Sequence, residues 1–216
     1  MDETLYEERS YILSGFQVIA AYLSKKYGIS KKKLFNALML SFKTEGRGKN
    51  FDRILERFKL KKEDIFHLVQ IYRNHKPKIK LLDGVKSLLK KLRSNYKIGI
   101  VTDGNYIMQK NKVEALNLQK YVDFIIYTDR EGLKAKPDTS SFTKALEIAK
   151  SKANETVYIG DNPHKDFIGA RRIGIKTIRI NRGEYKNIEA GECFEADYVV
   201  SALEDVLPII CSQITS

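Results

Sequence analysis

Only two cysteines, Cys193 and Cys211, occur in 216 residues. Two are too few for a disulfide framework, and neither has a partner at metal-ligand spacing, so both are expected to be packing residues. No apolar run approaches the roughly 20 residues that span a bilayer, which argues against a membrane span. The first residues are acidic and lack a basic segment leading into an apolar one, so no secretory leader is expected and a cytoplasmic location follows. Internal repeats and low-complexity segments are missing. So are a G-x-x-x-x-G-K-[ST] loop, which excludes a P-loop NTPase, and a G-x-G-x-x-G fingerprint, which leaves no dinucleotide site.

Positive charge is in excess. Lys and Arg number 39 against 27 Asp and Glu, a net charge of +12. Much of the excess is Lys scattered in helical segments, as at Lys31, Lys32, Lys33, Lys61 and Lys62. Lys is a point charge without the planar fork that reads bases or phosphates bidentately. These residues are expected on a solvated surface. No nucleic-acid recognition signature stands beside them, so no nucleic-acid partner is expected. Hydrophobic residues make up 43% and charged residues 31%, the balance of an ordinary globular chain. The length suits one large domain or one domain with a sizeable insertion.

The first third reads helical. The segment IAAYLSKKYG closes on Gly28 with Lys in its last turn. In SKKKLFNALMLSF, Ser30 is an N-cap candidate, and Leu34, Phe35, Leu38 and Phe42 repeat at helical period. A basic turn, TEGRGKN, follows, and then FDRILERFKL and KEDIFHLVQIYRNH continue the helical pattern. From residue 97 the texture changes. The runs YKIGIVTDG, FIIYTD, TVYIGD and IKTIRI read as buried strands. Helical stretches separate them, one of which takes Asp138 as its N-cap. ADYVVSALEDVLPII reads as a short strand and a closing helix. Strands alternating with helices imply a parallel sheet with right-handed crossovers. The break between the two textures falls near HKPKIKLLDG.

Open parallel sheets bind ligands at the carboxyl ends of their strands. Thr102, Asp103 and Gly104 stand after the first strand. Lys136 stands in the loop after the second, and Asp161 after the third, with Asp166 five residues on. This set suits phosphoryl chemistry. A Thr hydroxyl and the N–H groups of a tight Asp-Gly turn can hold phosphate oxygens. A Lys ammonium neutralises charge on the transferring group. Carboxylates on a turn suit Mg²⁺, a hard cation that takes one or two protein carboxylates. Asp166 reads equally as an N-cap of the next helix. His164 reads as a solvated loop residue, because Mg²⁺ avoids imidazole.

The order IVTDG, KPD and YIGDNPHKDFIGARRIGI resembles motifs two, three and four of the haloacid dehalogenase-like superfamily, over essentially the whole chain. The opening MDETLY resembles the second half of that family's motif one, D-x-D-x-T-[LV]. Asp2 falls on its second Asp, Thr4 on its Thr and Leu5 on its apolar residue. The resemblance implies an α/β fold, a three-layer Rossmann-like parallel-sheet core of residues 1–8 and 80–216. An inserted α-helical cap would span 9–79. Thr4 and Thr102 stand roughly 100 residues apart, where a plain βα connection takes only a few. It also implies roles. Asp2 resembles the general acid/base that protonates the leaving alkoxide and then activates water. Its backbone carbonyl would hold Mg²⁺ with Asp161, and Asp166 would act on the metal directly or at one remove. Thr102 and Lys136 would bind the phosphoryl oxygens, with Asp103 and Gly104 in the same turn. Apart from the resemblance, the basic turn TEGRGKN reads equally as a solvated inter-helix turn or as the place of leaving-group recognition, with Arg47 and Lys49 as anion contacts. An acid at Asp2 points to phosphate esters, since a halide leaving group needs no proton.

In that register the nucleophilic Asp, which forms an aspartyl-phosphate, falls one residue before Met1. The first core strand is then expected to be missing and the 216-residue chain inactive. A misassigned start, with the natural chain beginning roughly ten residues earlier, is preferred to a decayed gene. The function expected is a Mg²⁺-dependent phosphohydrolase of a small phosphorylated metabolite, a sugar phosphate among the candidates. The alternative is a non-catalytic protein of the same fold that acts by binding.

Overall fold

The computed structural model describes residues 1–60 and 64–214, the side chains of 64, 213 and 214 excepted. Lys61 and Lys62, expected on the surface and at the start of a helical segment, lie outside the described residues. The chain divides into two compact units, Arg9–Ile79 and Met1–Glu8 with Lys80–Ser216.

The first unit is helical. It comprises α1 (Glu8–Tyr27, entered at its second residue), α2 (Lys31–Glu45), α3 (Asn50–Arg57) and α4 (Asp64–Asn74). Apolar residues at helical spacing build its core. Phe16, Ile19, Ala20 and Leu23 of α1 meet Leu34 and Leu38 of α2, Ile54 and Leu55 of α3, and Leu68 of α4. Gly15 allows close approach, since a Cβ there would lie 2.2 Å from the Tyr72 ring. Gly28 stops α1 in a left-handed conformation (φ 69°), where a residue without Cβ is unstrained. Ser30 does occupy the N-cap of α2, but its side chain makes no capping bond.

The second unit alternates helices and strands. Its order is α5 (Val85–Arg93), β1 (Gly99–Thr102), α6 (Tyr106–Ala115), β2 (Phe124–Tyr127), α7 (Ser140–Ala149), β3 (Val157–Gly160), α8 (Ile168–Arg172), β4 (Lys176–Ile180), β5 (Tyr198–Val200) and α9 (Val206–Ile214). Every strand pairing is parallel. The strands form two sheets, β1-β2 and β3-β4-β5, where the strand runs imply one. Among the described residues β1 pairs only with β2, and β3 only with β4 and no strand on its other side. A cavity of about 400 Å³ is walled by residues 98–101 and 156–159, with Met1, Thr4 and Leu5 on its lining. Val157, Tyr158 and Ile159 are therefore half-buried, whereas Thr177 and Ile178, the β4 partners of Tyr158 and Ile159, are buried. The cores of this unit are Leu92, Ile178, Ile180, Val200, Val206 and Ile210 in one cluster, and Phe142, Ala170 and Ile175 in another.

Local details depart from the sequence expectations. Cys193 and Cys211 are both exposed, so they are not packing residues. On α9 the inward positions are Val206 and Ile210, and Cys211 is turned about 100° from Ile210 by the helical period. α7 begins at Ser140, with Thr139 in the cap position. The Asp138 carboxylate still accepts the Ser140 N–H, at 2.9 Å. Asp166 is not the cap of α8, whose N-cap is Phe167.

Candidate active site

The carboxyl ends of β1 and β3 carry the residues that the strand pattern singles out. Thr102 ends β1 buried, and its hydroxyl donates to Gln109 Oε1 at 3.1 Å. Gly104 turns the chain at φ 98°, and Asn105 caps α6 by accepting the Met108 N–H. Asp103 sits between two loops. Its Oδ1 accepts from the Thr128 hydroxyl at 3.1 Å, and its Oδ2 faces Lys136 Nζ at 3.5 Å.

Lys136 is buried between two carboxylates, Asp103 and Asp166, the latter at 3.3 Å. Burial disfavours its ammonium, but Tyr158, Asp166 and Asp103 together outweigh that and raise its pKa. Burial and Asp166 in turn push the Tyr158 phenol up. Asp166 is a brace. Its Oδ2 accepts the backbone N–H of Asp161 at 3.2 Å and of Asn162 at 3.0 Å, while Oδ1 meets Lys136 and, at 3.5 Å, the Tyr158 hydroxyl. Its own burial is unfavourable, but Lys136 and the Asn162 N–H hold its pKa below the ordinary value. Gly160 makes room for it, since a Cβ there would lie 2.6 Å from Asp166 Oδ2.

The opening residues join this rim. Thr4 is buried, and its hydroxyl lies 3.2 Å from the Asp2 carbonyl oxygen and 3.3 Å from Asp161 Oδ1. One hydroxyl thus gathers two oxygens from positions 159 residues apart in the sequence. The tight turn is closed by the Leu5 N–H donating to the Met1 carbonyl at 2.9 Å, and Leu82 N–H donates to the Leu5 carbonyl at 3.0 Å. The amino group of Met1 is buried near Asp2, Asp161, Asp166 and Lys136, and burial lowers its pKa.

Two residues enter that the motifs do not contain. Lys112 Nζ lies 2.8 Å from Asp2 Oδ1, and the Tyr6 hydroxyl donates to the same oxygen. Burial works against the Asp2 carboxylate, but Lys112, then the chain's amino group, and the hydrogen bonds from Lys112 and Tyr6 bring its pKa down to about 2. The sequence did hold a signal for Lys112. Gln109, Lys112, Val113 and Leu116 follow the i, i+3, i+4, i+7 spacing of a buried stripe, and two of the four are polar.

The oxygens at this rim fit a hard divalent cation. Asp161 is buried, and burial together with Asp166, Asp2 and Glu3 pushes its carboxyl up to about 7 against the opposing Met1 amino group. A carboxylate in such surroundings gains from a neighbouring cation. Among the described residues no three His, Cys, Asp or Glu side chains form a metal cage. Mg²⁺ does not require one, because it keeps several waters and uses one or two carboxylates. Asp161 and the Asp2 carbonyl, which the Thr4 hydroxyl gathers, are the candidate oxygens, whereas both oxygens of Asp166 are engaged by the Asp161 and Asn162 N–H groups, Lys136 and Tyr158. Arg47 and Lys49 lie in the exposed turn between α2 and α3 of the helical unit, and His164 is exposed in the loop after β3.

The profile of the family described as haloacid dehalogenase-like hydrolase matches residues 1–180. The chain belongs to this family. It is 29% identical over 217 residues to the glyceraldehyde 3-phosphate phosphatase of Methanocaldococcus jannaschii, with 97% of this chain and 94% of that protein covered. To the protein of the same name from Pyrococcus furiosus it is 32% identical over 165 residues, covering 74% and 68%. A solved haloacid dehalogenase-like phosphatase from Thermococcus onnurineus matches with a TM-score of 0.63 at 26% identity, covering 97% and 94%. This hydrolase therefore stands with the family's phosphatases, which act on phosphate esters. Among the described residues no helix is long and apolar enough to cross a membrane.

Proposed function

We propose that this hydrolase is a Mg²⁺-dependent, cytoplasmic phosphatase of small phosphorylated metabolites that works through an aspartyl-phosphate. The observation that carries the reading is the Thr4 hydroxyl held between the Asp2 carbonyl and the Asp161 carboxylate. It draws the two candidate metal oxygens together beside the buried Lys136. Mg²⁺ bound there would neutralise charge on the phosphoryl oxygens. Thr102, Lys136 and the turn at Asp103 and Gly104 bind those oxygens. Asp2 donates a proton to the leaving alkoxide and then takes one from the attacking water. Asp161 and the Asp2 carbonyl are metal ligands, and Asp166 acts on the metal at one remove while fixing Lys136. Residues 9–79 serve as the helical cap on the core of 1–8 and 80–216, with Arg47 as an anion contact. A three-carbon sugar phosphate is the first substrate to test, from the names of the M. jannaschii and P. furiosus relatives.

The nucleophilic Asp belongs one position before Met1. A residue there would enter among Asp2, Asp161, Asp166 and Lys136, and a strand leading into it has room in the cavity walled by β1 and β3. The test is phosphate release from 4-nitrophenyl phosphate and glyceraldehyde 3-phosphate with Mg²⁺. Two proteins are compared, the 216-residue chain and the same chain preceded by an apolar strand ending in Asp. The expected result is turnover by the second alone. A folded extended protein without turnover would favour the non-catalytic binding reading, and turnover by the 216-residue chain itself would refute the assigned register.

A further inference from the structure

Arg179 on β4 and Arg171 on α8 are both tied to partners. Arg179 meets Glu195 and the carbonyls of Tyr185 and Ile188, and Arg171 meets the carbonyls of Glu192 and Glu195. Arg182, two residues past the end of β4, is not. It is half-buried, and its Nε is buried without a hydrogen-bond partner. Among the described residues its guanidinium forms no ion pair. A buried donor left without a partner costs free energy and calls for an explanation. The chain around it is fixed. The Arg182 N–H donates to the Ile180 carbonyl at 2.9 Å. Gly183, which follows, sits at φ 66° with Glu3 against it, so that a Cβ there would lie 2.2 Å from the Glu3 carboxylate.

This place belongs to the rim of the site. β4 runs parallel to β3, with Arg179 beside Gly160. Asp161 therefore stands one residue beyond that pairing, and Arg182 three residues beyond it on the neighbouring chain segment. Paired strands lie about 4.8 Å apart. The Tyr185 ring of the same loop meets the His164 ring of the loop after β3, with centroids 6.2 Å apart. Glu3 of the opening turn feels the Arg182 charge. It gives Oε1 to the Glu8 N–H at 2.9 Å and does not close on Arg182.

We propose that Arg182 is a specificity-determining residue whose guanidinium takes a carboxylate of the substrate, apart from the phosphoryl group held by Thr102 and Lys136. The inference rests on the proposed function, and it puts a selecting group in the core unit beside Arg47 in the helical one. A guanidinium offers a planar fork of donors that matches the two oxygens of a carboxylate. One guanidinium balances one carboxylate, whereas a phosphate dianion beside Glu3 would leave charge uncompensated. The preferred substrates are then phosphate esters of hydroxy acids, ahead of esters of neutral alcohols and aldehydes.

The test needs no turnover. 3-Phosphoglycerate and glyceraldehyde 3-phosphate differ by a carboxylate in place of an aldehyde, and their binding to the 216-residue chain with Mg²⁺ is read by titration calorimetry. The acid should bind roughly 10- to 100-fold more tightly, the worth of hydrogen bonds between charged groups. Arg182→Met should erase that preference by weakening the acid and change the aldehyde by less than about threefold. Arg182→Lys should restore only part, since an ammonium lacks the fork. Equal binding of the two esters by the wild type, or equal weakening of both in Arg182→Met, would overturn the proposal. In a second measurement, the Arg182 Nε–H signal, assigned by its loss in Arg182→Lys, should shift as malonate is added and stay in place with chloride at matched ionic strength. An unmoved signal would also overturn it. If neither ester binds while malonate still moves the signal, the phosphatase reading falls and Arg182 stands as a carboxylate-binding residue.

Discussion

Replacing Gly160 by Ala should destabilise the protein through a residue six positions away. The added Cβ would lie 2.6 Å from Asp166 Oδ2 and 2.9 Å from its Cβ and Cγ. Asp166 cannot swing aside freely. Its carboxylate is held by the N–H groups of Asp161 and Asn162, by Lys136 and by Tyr158. Relief of the clash must break some of these bonds or move β3. Hydrogen bonds to a charged group contribute about 1.5–3 kcal/mol each, and overpacking costs about 1–3 kcal/mol. A loss of about 3 kcal/mol follows if one bond is lost and the strand gives slightly. At about 2–4 °C per kcal/mol for a chain of this size, the melting temperature should fall by roughly 6–12 °C. Urea unfolding of Gly160→Ala, Asp166→Ala and the double variant tests the cause. If the clash with Asp166 is responsible, the double variant should lose clearly less than the sum of the two singles. A Gly160→Ala protein within about 0.5 kcal/mol of wild type would refute the reasoning.

Lys136→Met leaves Asp103 and Asp166 facing each other without their cation, and should cost about 3–5 kcal/mol in urea unfolding, the usual penalty for breaking a buried pair. Arg179 is buried on β4, 2.6 Å from Glu195 and from the Tyr185 carbonyl and 3.1 Å from that of Ile188. Arg179→Met should therefore cost a similar ~3–5 kcal/mol, and limited proteolysis should show faster cleavage in the 181–197 segment. The Asp161 carboxyl, raised from 3.8 to about 7 by burial and neighbouring carboxylates, binds its proton in the folded state where the unfolded state has released it. Its contribution to stability is thus present below pH 4 and lost as pH rises to about 7. Asp161→Asn should flatten that part of the stability–pH profile measured without metal, and an unchanged slope would show that another group is responsible.

The α/β half was legible because buried parallel strands read as short apolar runs and each closes on a turn that has to be polar or Gly. Thr102, Lys136 and Asp161 could be singled out on that ground before any contact was visible. Asp166 was legible as important but not in role. Choosing between a helix cap, a ligand and a brace needs the direction of its carboxylate, which points at two backbone N–H groups. The exposure of Cys211 was missed because a short apolar helix does not announce its inner face. The separation of β1-β2 from β3-β4-β5 was not written in any single run either, since each strand carries the same pattern whether it has one neighbour or two.

By itself, then, the sequence determined the order of elements and the identity of the groups at the strand ends, because these follow from local periodicity and from turn chemistry. Only the tertiary structure decided which groups meet. It set Thr4 between Asp2 and Asp161, Lys136 between Asp103 and Asp166, and Lys112 against an aspartate 110 residues away. Local pattern carries no record of such pairings, because they depend on how helix and strand ends stack in space.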